Sequence, residues 1–128
     1  MSSASTIGLP FFKSNFVAPV ITSGTLFNYA CSNNFSIPPG NYLAWIYLSI
    51  RGTTDTTLGP VITVVNNGTI RYPFTLNSST IDLNGDTIAF QNTQVISITT
   101  EEIINIQGQV NFDDTAPAIA GTIYFYPI

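Results

Sequence analysis

The sequence predicts an all-β fold: an antiparallel β-sandwich built as a single jelly roll of about eight to ten strands. Three observations carry that expectation. No stretch of ten or more residues keeps the 3.6-residue apolar period of a helix. Short runs rich in β-branched and aromatic residues alternate with Gly, Pro and Asn clusters along the chain. Two Asn-Gly pairs, Asn67-Gly68 and Asn84-Gly85, stand between such runs, and that dipeptide tolerates the positive φ angles of tight hairpins.

Residues 1 to about 15 read as an extended N-terminal arm, because small polar residues lead into Leu9-Pro10-Phe11-Phe12 and Pro10 opposes a helix. Such an arm can wrap its own domain or reach a neighbouring subunit. A single sandwich domain is expected over 16–128. Within it, Phe16 to Thr22 contains Pro19 and reads as an edge or bulged strand. Ser23-Gly24 turns, and Thr25 to Cys31 is a second strand. Pro38-Pro39-Gly40 turns again, ahead of the longest apolar run, Tyr42 to Ile50. Side chains alternate faces along a strand. One face of this run carries Ala44, Ile46, Leu48 and Ile50, a sandwich core. The other carries Leu43, Trp45 and Tyr47, also apolar. One small sandwich covers only one of the two.

Thr53 to Pro60 is expected as a loop. Val61 to Val65 pairs across Asn67-Gly68 with Thr69 to Leu76, whose Pro73 marks a sheet edge. Asn77 to Thr80 is a loop and Ile81 to Leu83 a short strand. Asp86 to Gln91 and Val95 to Thr100 read as two further strands. Ile104, Ile106, Gly108, Val110 and Phe112 line one face of another. After a turn over Asp113 to Pro117, the chain closes on Ile119 to Ile128, with Ile123 and Phe125 inward and Tyr124 and Tyr126 on the opposite face.

Composition limits function more sharply than motifs do. Apolar residues make up 45% of 128, enough for a core. Charged residues make up 8%, against roughly 25% in ordinary soluble domains. The net charge is −4, and Lys13, Arg51 and Arg71 are scattered. No basic patch exists to displace counterions from a nucleic acid or to hold an anionic membrane surface. No run approaches the eighteen or so apolar residues of a membrane helix, and Met1 to Thr6 lacks a secretion signal's pattern, so the chain is expected to be made in the cytoplasm. Cys31 is the single cysteine, so no intramolecular disulfide forms. It reads as a small buried apolar residue, with an intermolecular disulfide as the alternative.

Histidine is absent, which removes the commonest general base and metal ligand and every Ser-His-Asp or Cys-His arrangement. Adjacent Glu101 and Glu102 would point to opposite faces of a strand, and Asp113 and Asp114 sit in a turn. No catalytic residue and no cofactor are assigned. Asp82, Asn84 and Asp86 begin like a calcium loop and form a lesser metal candidate. The Gly falls at the fourth position rather than the sixth, however, and Thr93 stands where the bidentate Glu belongs. A hairpin at Asn84-Gly85 explains the same residues. The remaining signal lies in surfaces. Trp45, Tyr47, Tyr124 and Tyr126, with Phe11 and Phe12 of the arm, are the candidate interface residues. Apolar area removed from water contributes about 25 cal/mol per Å², so pairing such faces between subunits would stabilise an assembly. The alternative is that the arm or long loops cover them within one chain.

Thr25-Leu26-Phe27, then Phe35-Ser36-Ile37-Pro38-Pro39-Gly40-Asn41-Tyr42 leading into the long strand, resembles the tumour necrosis factor/complement globular-head superfamily. That group has a Pro-Gly-x-Tyr entry to its central strand and an aromatic closing strand, as in Gly121-Thr122-Ile123-Tyr124-Phe125-Tyr126. The resemblance covers about residues 24–128, with little support across 53–80. It implies a ten-strand jelly roll forming homotrimers through aromatic faces. A weakly charged Asn/Thr/Ile-rich jelly roll with an arm is also similar to small viral structural proteins: capsid, penton, minor capsid or fibre-head components. The expected function is therefore non-enzymatic assembly in a virion. The expected partners are further copies of the chain, three favoured, and other capsid proteins. The alternative is a carbohydrate- or receptor-binding module.

Overall fold

A computed structural model describes residues 12–33, 36–52, 61–66, 69–75, 85–99, 102–112 and 115–128, with the backbone alone described at 61–66, 69–75 and 102–104. Among these residues there are ten strands and no helix. They are β1 (Phe12–Val17), β2 (Phe27–Asn28), β3 (Ala30–Cys31), β4 (Ser36–Ile37), β5 (Gly40–Arg51), β6 (Val61–Asn66), β7 (Thr69–Thr75), β8 (Thr87–Ile98), β9 (Glu102–Gln109) and β10 (Ala118–Pro127). All pair antiparallel. One sheet runs β3-β1-β10-β5-β8; the other runs β2-β9-β6-β7, with β4 also on β9.

The long apolar run is β5, the centre of the first sheet, paired along its length with β8 on one side and β10 on the other. Its faces divide as expected. Ala44, Ile46, Leu48 and Ile50 are fully buried, and Ile123 and Phe125 join them from β10. The second sheet answers with Ile37 and Ile106, joined by Val110 just beyond β9. Each large aliphatic or aromatic side chain so buried contributes roughly 1.5–3 kcal/mol. This shared layer holds the sandwich together.

Several boundaries differ from the sequence expectation. β1 begins at Phe12, inside the stretch read as an arm, and ends at Val17, ahead of Pro19. Phe12, Ser14 and Phe16 face inward while Lys13, Asn15 and Val17 face out, a strand alternation overshadowed by the nearby Pro10. The stretch expected as one strand over Thr25 to Cys31 divides between the sheets. Phe27–Asn28 joins β9 and Ala30–Cys31 joins β1, with the Tyr29 ring buried between. The two strands expected over 86–91 and 95–100 are one, β8. Asn92-Thr93-Gln94 contains no Gly or Pro, and β5 offers a partner for the full twelve residues. β6 and β7 form the hairpin expected around 67–68, pairing Asn66 with Thr69, with a bulge between Val64 and Val65. β7 is an edge, in agreement with Pro73. The short strand expected over Ile81 to Leu83 lies outside the described residues.

Two glycines are fixed by close approach rather than by turn geometry. At Gly121 a Cβ would collide with the Tyr47 carbonyl oxygen and come 2.6 Å from the Phe16 ring. At Gly108 it would come 2.7 Å from the Tyr29 ring. That ring is wedged edge-on against Phe16 and Phe27, at centroid distances of 4.8 Å each. Its hydroxyl finds no hydrogen-bond partner among the described residues, and burial pushes its pKa well above the ordinary tyrosine value. Cys31 is half-buried against the core rather than fully enclosed. Burial raises its thiol pKa, and a hydrogen bond with Ser14 partly offsets this. Among the described residues no helix is long and apolar enough to cross a membrane.

Candidate functional site

The outward face of the five-stranded sheet is the surface to which the aromatic residues point. Antiparallel register sets its composition. β1 places Lys13 across from Tyr124, and β10 places Tyr124 across from Trp45. Tyr126 stands two residues further along the same face of β10, next to Leu43 of β5. The rings of Trp45 and Tyr124 stack at 5.3 Å and 29°, and those of Tyr124 and Tyr126 at 6.0 Å and 24°. The Lys13 ammonium lies 5.6 Å from the centre of the Tyr124 ring, a cation–π arrangement. One cation, three stacked rings and Leu43 thus form a continuous band.

Tyr47 belongs to the next row, across from Thr122 and Gln91, and is 44% exposed. Its row is polar elsewhere: the Thr122 hydroxyl donates to the Asn15 side-chain oxygen at 2.9 Å. On the far side of the band, Val95 sits across from Leu43 and is 62% exposed. Toward the other end of the face the side chains shrink to Ala118, Ala120 and Ser49. These floor a shallow depression of about 380 Å³ flanked by Val17 and Arg51. Bulk at one end and a hollow at the other give the face relief.

Charge on this sheet is one-sided. Its strands carry Lys13 and Arg51 and no carboxylate, although the whole chain is net −4. The surface is therefore mildly cationic, with an aromatic band beside a polar row. Among the described residues it presents no acid pair and no nucleophile–base pair.

Of the residues singled out from sequence, Trp45, Tyr124 and Tyr126 are brought together, and Tyr47 shares their face. Phe12 does not. It turns inward, its ring edge-on to Phe125 at 6.3 Å, because it occupies an inward position of β1. Phe11 lies outside the described residues, as do Asp82 and Asn84. Asp86 is exposed beside Gly85, whose φ is 85° and whose N–H donates to the Gly52 carbonyl at 2.7 Å. Among the described residues no cluster of three metal-ligating side chains forms. Lys13 went unrecognised as part of the face. The alternation of Phe12, Ser14 and Phe16 was the signal that could have placed it there.

No family model and no curated protein matches this chain. Solved structures do. The globular domain of zebrafish complement 1qA protein is similar at TM-score 0.52 and 9% identity, covering 93% of this chain and 96% of that one. The Eiger tumour necrosis factor of S. frugiperda gives 0.50 and 12%, covering 94% of each. A chain of the infectious bursal disease virus Gx strain gives 0.50 and 14%, covering 89% of this chain but 28% of that much longer one. Likeness at such identities is likeness of fold. The chain is an all-β jelly roll similar to the tumour necrosis factor/complement globular heads and to part of that viral chain.

Proposed function

We propose that this chain is a non-enzymatic assembly protein, joining copies of itself through the outward face of the five-stranded sheet, with three copies favoured. The observation that carries the reading is the stacked band Trp45–Tyr124–Tyr126 on a face with no carboxylate. Rings of this size favour removal from water, and a partner sheet or edge laid across them would exclude it. The chain has no histidine, and the likeness is to a complement globular domain and a tumour necrosis factor, which supports a non-enzymatic role. Within that reading we place the protein in a virion, as a capsid, minor capsid or appendage component with other capsid proteins as neighbours. Support comes from the low charge and from the likeness to part of the infectious bursal disease virus chain.

The test is the absolute mass in solution over a hundredfold dilution, for the parent and for Trp45→Ser. A parent trimer or larger assembly that dissociates in the variant is the expected result. A parent that stays monomeric throughout would sink the proposal.

A second reading has its own observation. Stacked rings flanked by Lys13 and by the amides of Asn15 and Gln91 resemble a platform for a sugar ring. A defined glycan ligand that is lost on Tyr124→Ser would favour that reading.

A further inference from the structure

The hollow at the far end of the outward face lies beside the second cation of that sheet. Arg51 is the last residue of β5, about 20 Å along the strand from Trp45. Register sets it between Ala118 of β10 and Thr87 of β8, and all three are exposed. Neither neighbour carries a charge. Among the described residues the Arg51 guanidinium has no ion pair and no hydrogen-bond partner. Asp86, just ahead of β8, is exposed and forms no ion pair with it.

The remaining lining is mostly apolar. Ala120 lies across the ladders from Val17 on one side and Ser49 on the other. Val17 and Ala18 stand at the β1 side of the hollow, where the Ala18 N–H donates to the Ile119 carbonyl at 2.8 Å and fixes that wall. Apart from Arg51, the polar side chains lining it are Ser49 and Thr87, and the Ser49 hydroxyl reaches back to the Ala120 carbonyl at 3.4 Å. Volume decides the size of an occupant: about 380 Å³ stands at the lower end of the roughly 300–1,000 Å³ typical of small-molecule sites. Charge decides its sign. A guanidinium offers a planar fork of N–H donors and no acceptor, a match for the two oxygens of a carboxylate. The apolar floor calls for an apolar body behind that head.

We propose that this hollow binds a small free carboxylate with a short aliphatic tail, its head on the Arg51 fork beside the Thr87 hydroxyl and its tail over Val17, Ala118 and Ala120. No carboxylate in the strands of this sheet competes for the cation. The site is complete on one chain and lies away from the stacked rings, so it does not depend on the face contact between copies.

The test is a titration of the ¹⁵N-labelled chain at constant ionic strength, followed by amide shifts in two-dimensional NMR. Three probes separate head from tail: hexanoate carries both, acetate the head alone and hexan-1-ol the tail alone. Hexanoate should bind saturably in the millimolar range and shift the amides of Ser49, Arg51, Thr87, Ala118 and Ala120. Acetate should bind about tenfold more weakly, having lost methylenes that the floor partly covers. Hexan-1-ol should bind about fivefold more weakly, having lost the charge-assisted pair. Arg51→Gln should bring hexanoate down to the level of the alcohol. Ala120→Leu, which fills the hollow from an exposed position, should weaken both tailed probes. The spectra themselves report whether each variant keeps the fold. The same titration in Trp45→Ser keeps this proposal apart from face association: saturable hexanoate binding there shows that the site is complete on one chain, and its absence there overturns the proposal. Equal affinity for hexanoate in Arg51→Gln, or shifts centred on Trp45 and Tyr124 instead, also overturns it and leaves the aromatic-face reading to its own test.

Discussion

Tyr124 lies directly across the β-ladder from Trp45, and their rings stack with centroids 5.3 Å apart. Neither ring belongs to the sandwich core, which is filled from the opposite face of the same two strands by Ile46 and Ile123. The pair is thus held rigidly by the sheet while pointing away from it. If this face is the self-association surface, Tyr124→Ser or Trp45→Ser should weaken association roughly tenfold to a hundredfold, from about 1.5–3 kcal/mol per buried ring. The isolated fold should survive with an unchanged strand signature by circular dichroism. Both variants keeping the parent's mass at low concentration would show that the rings are covered within one chain.

Ionic strength gives a second reading of the same surface. The chain is net −4, and the face carries Lys13 and Arg51 with no carboxylate to pair with them. Like charges therefore oppose association, and salt screens them with a Debye length of about 10 Å at 0.1 M. Raising the salt from low to physiological levels should shift the mass distribution upward. Dissociation on adding salt would point instead to ion pairs between subunits.

The Tyr29 hydroxyl is buried with no partner among the described residues. Removing it leaves the wedged ring and lifts a desolvation cost, so Tyr29→Phe should stabilise the fold by about 1 kcal/mol in urea unfolding. Burial raises the folded-state pKa of this group above the unfolded value. The associated stability is fully present below about pH 10 and declines as pH rises beyond it. Tyr29→Phe should therefore lose less stability than the parent on the alkaline side. Equal alkaline slopes for both proteins would count against the assignment.

Gly121 sits where β10, β5 and the Phe16 ring converge. A methyl group there meets backbone that cannot move aside without breaking the β10–β5 ladder. Gly121→Ala should cost about 1–3 kcal/mol or more, whereas Ala120→Gly, one residue away on the exposed face, should cost less than about 1 kcal/mol. Comparable urea midpoints for the two variants would show that the sheet yields at that point.

Much of this was legible in the chain itself. Alternation along Tyr42 to Ile50 and along Ile119 to Ile128 assigned each residue to a face, because the two-residue period of a strand leaves no freedom once one face is buried. Pro73 marked the β7 edge because proline cannot donate to a ladder. The scarcity of charge and the absence of histidine were compositional facts that no folding could alter. Tertiary structure decided the rest. Whether Asn92-Thr93-Gln94 interrupts a strand depends on a partner, and β5 supplied one of matching length. Whether Phe12 faces core or solvent depends on where β1 joins the sheet, and its inward position took Phe12 from the outward face while turning Lys13 onto it. The stack of Trp45, Tyr124 and Tyr126 joins residues some eighty positions apart, brought into contact by the β5–β10 register. Local sequence sets which face each residue occupies; long-range pairing sets which residues share it.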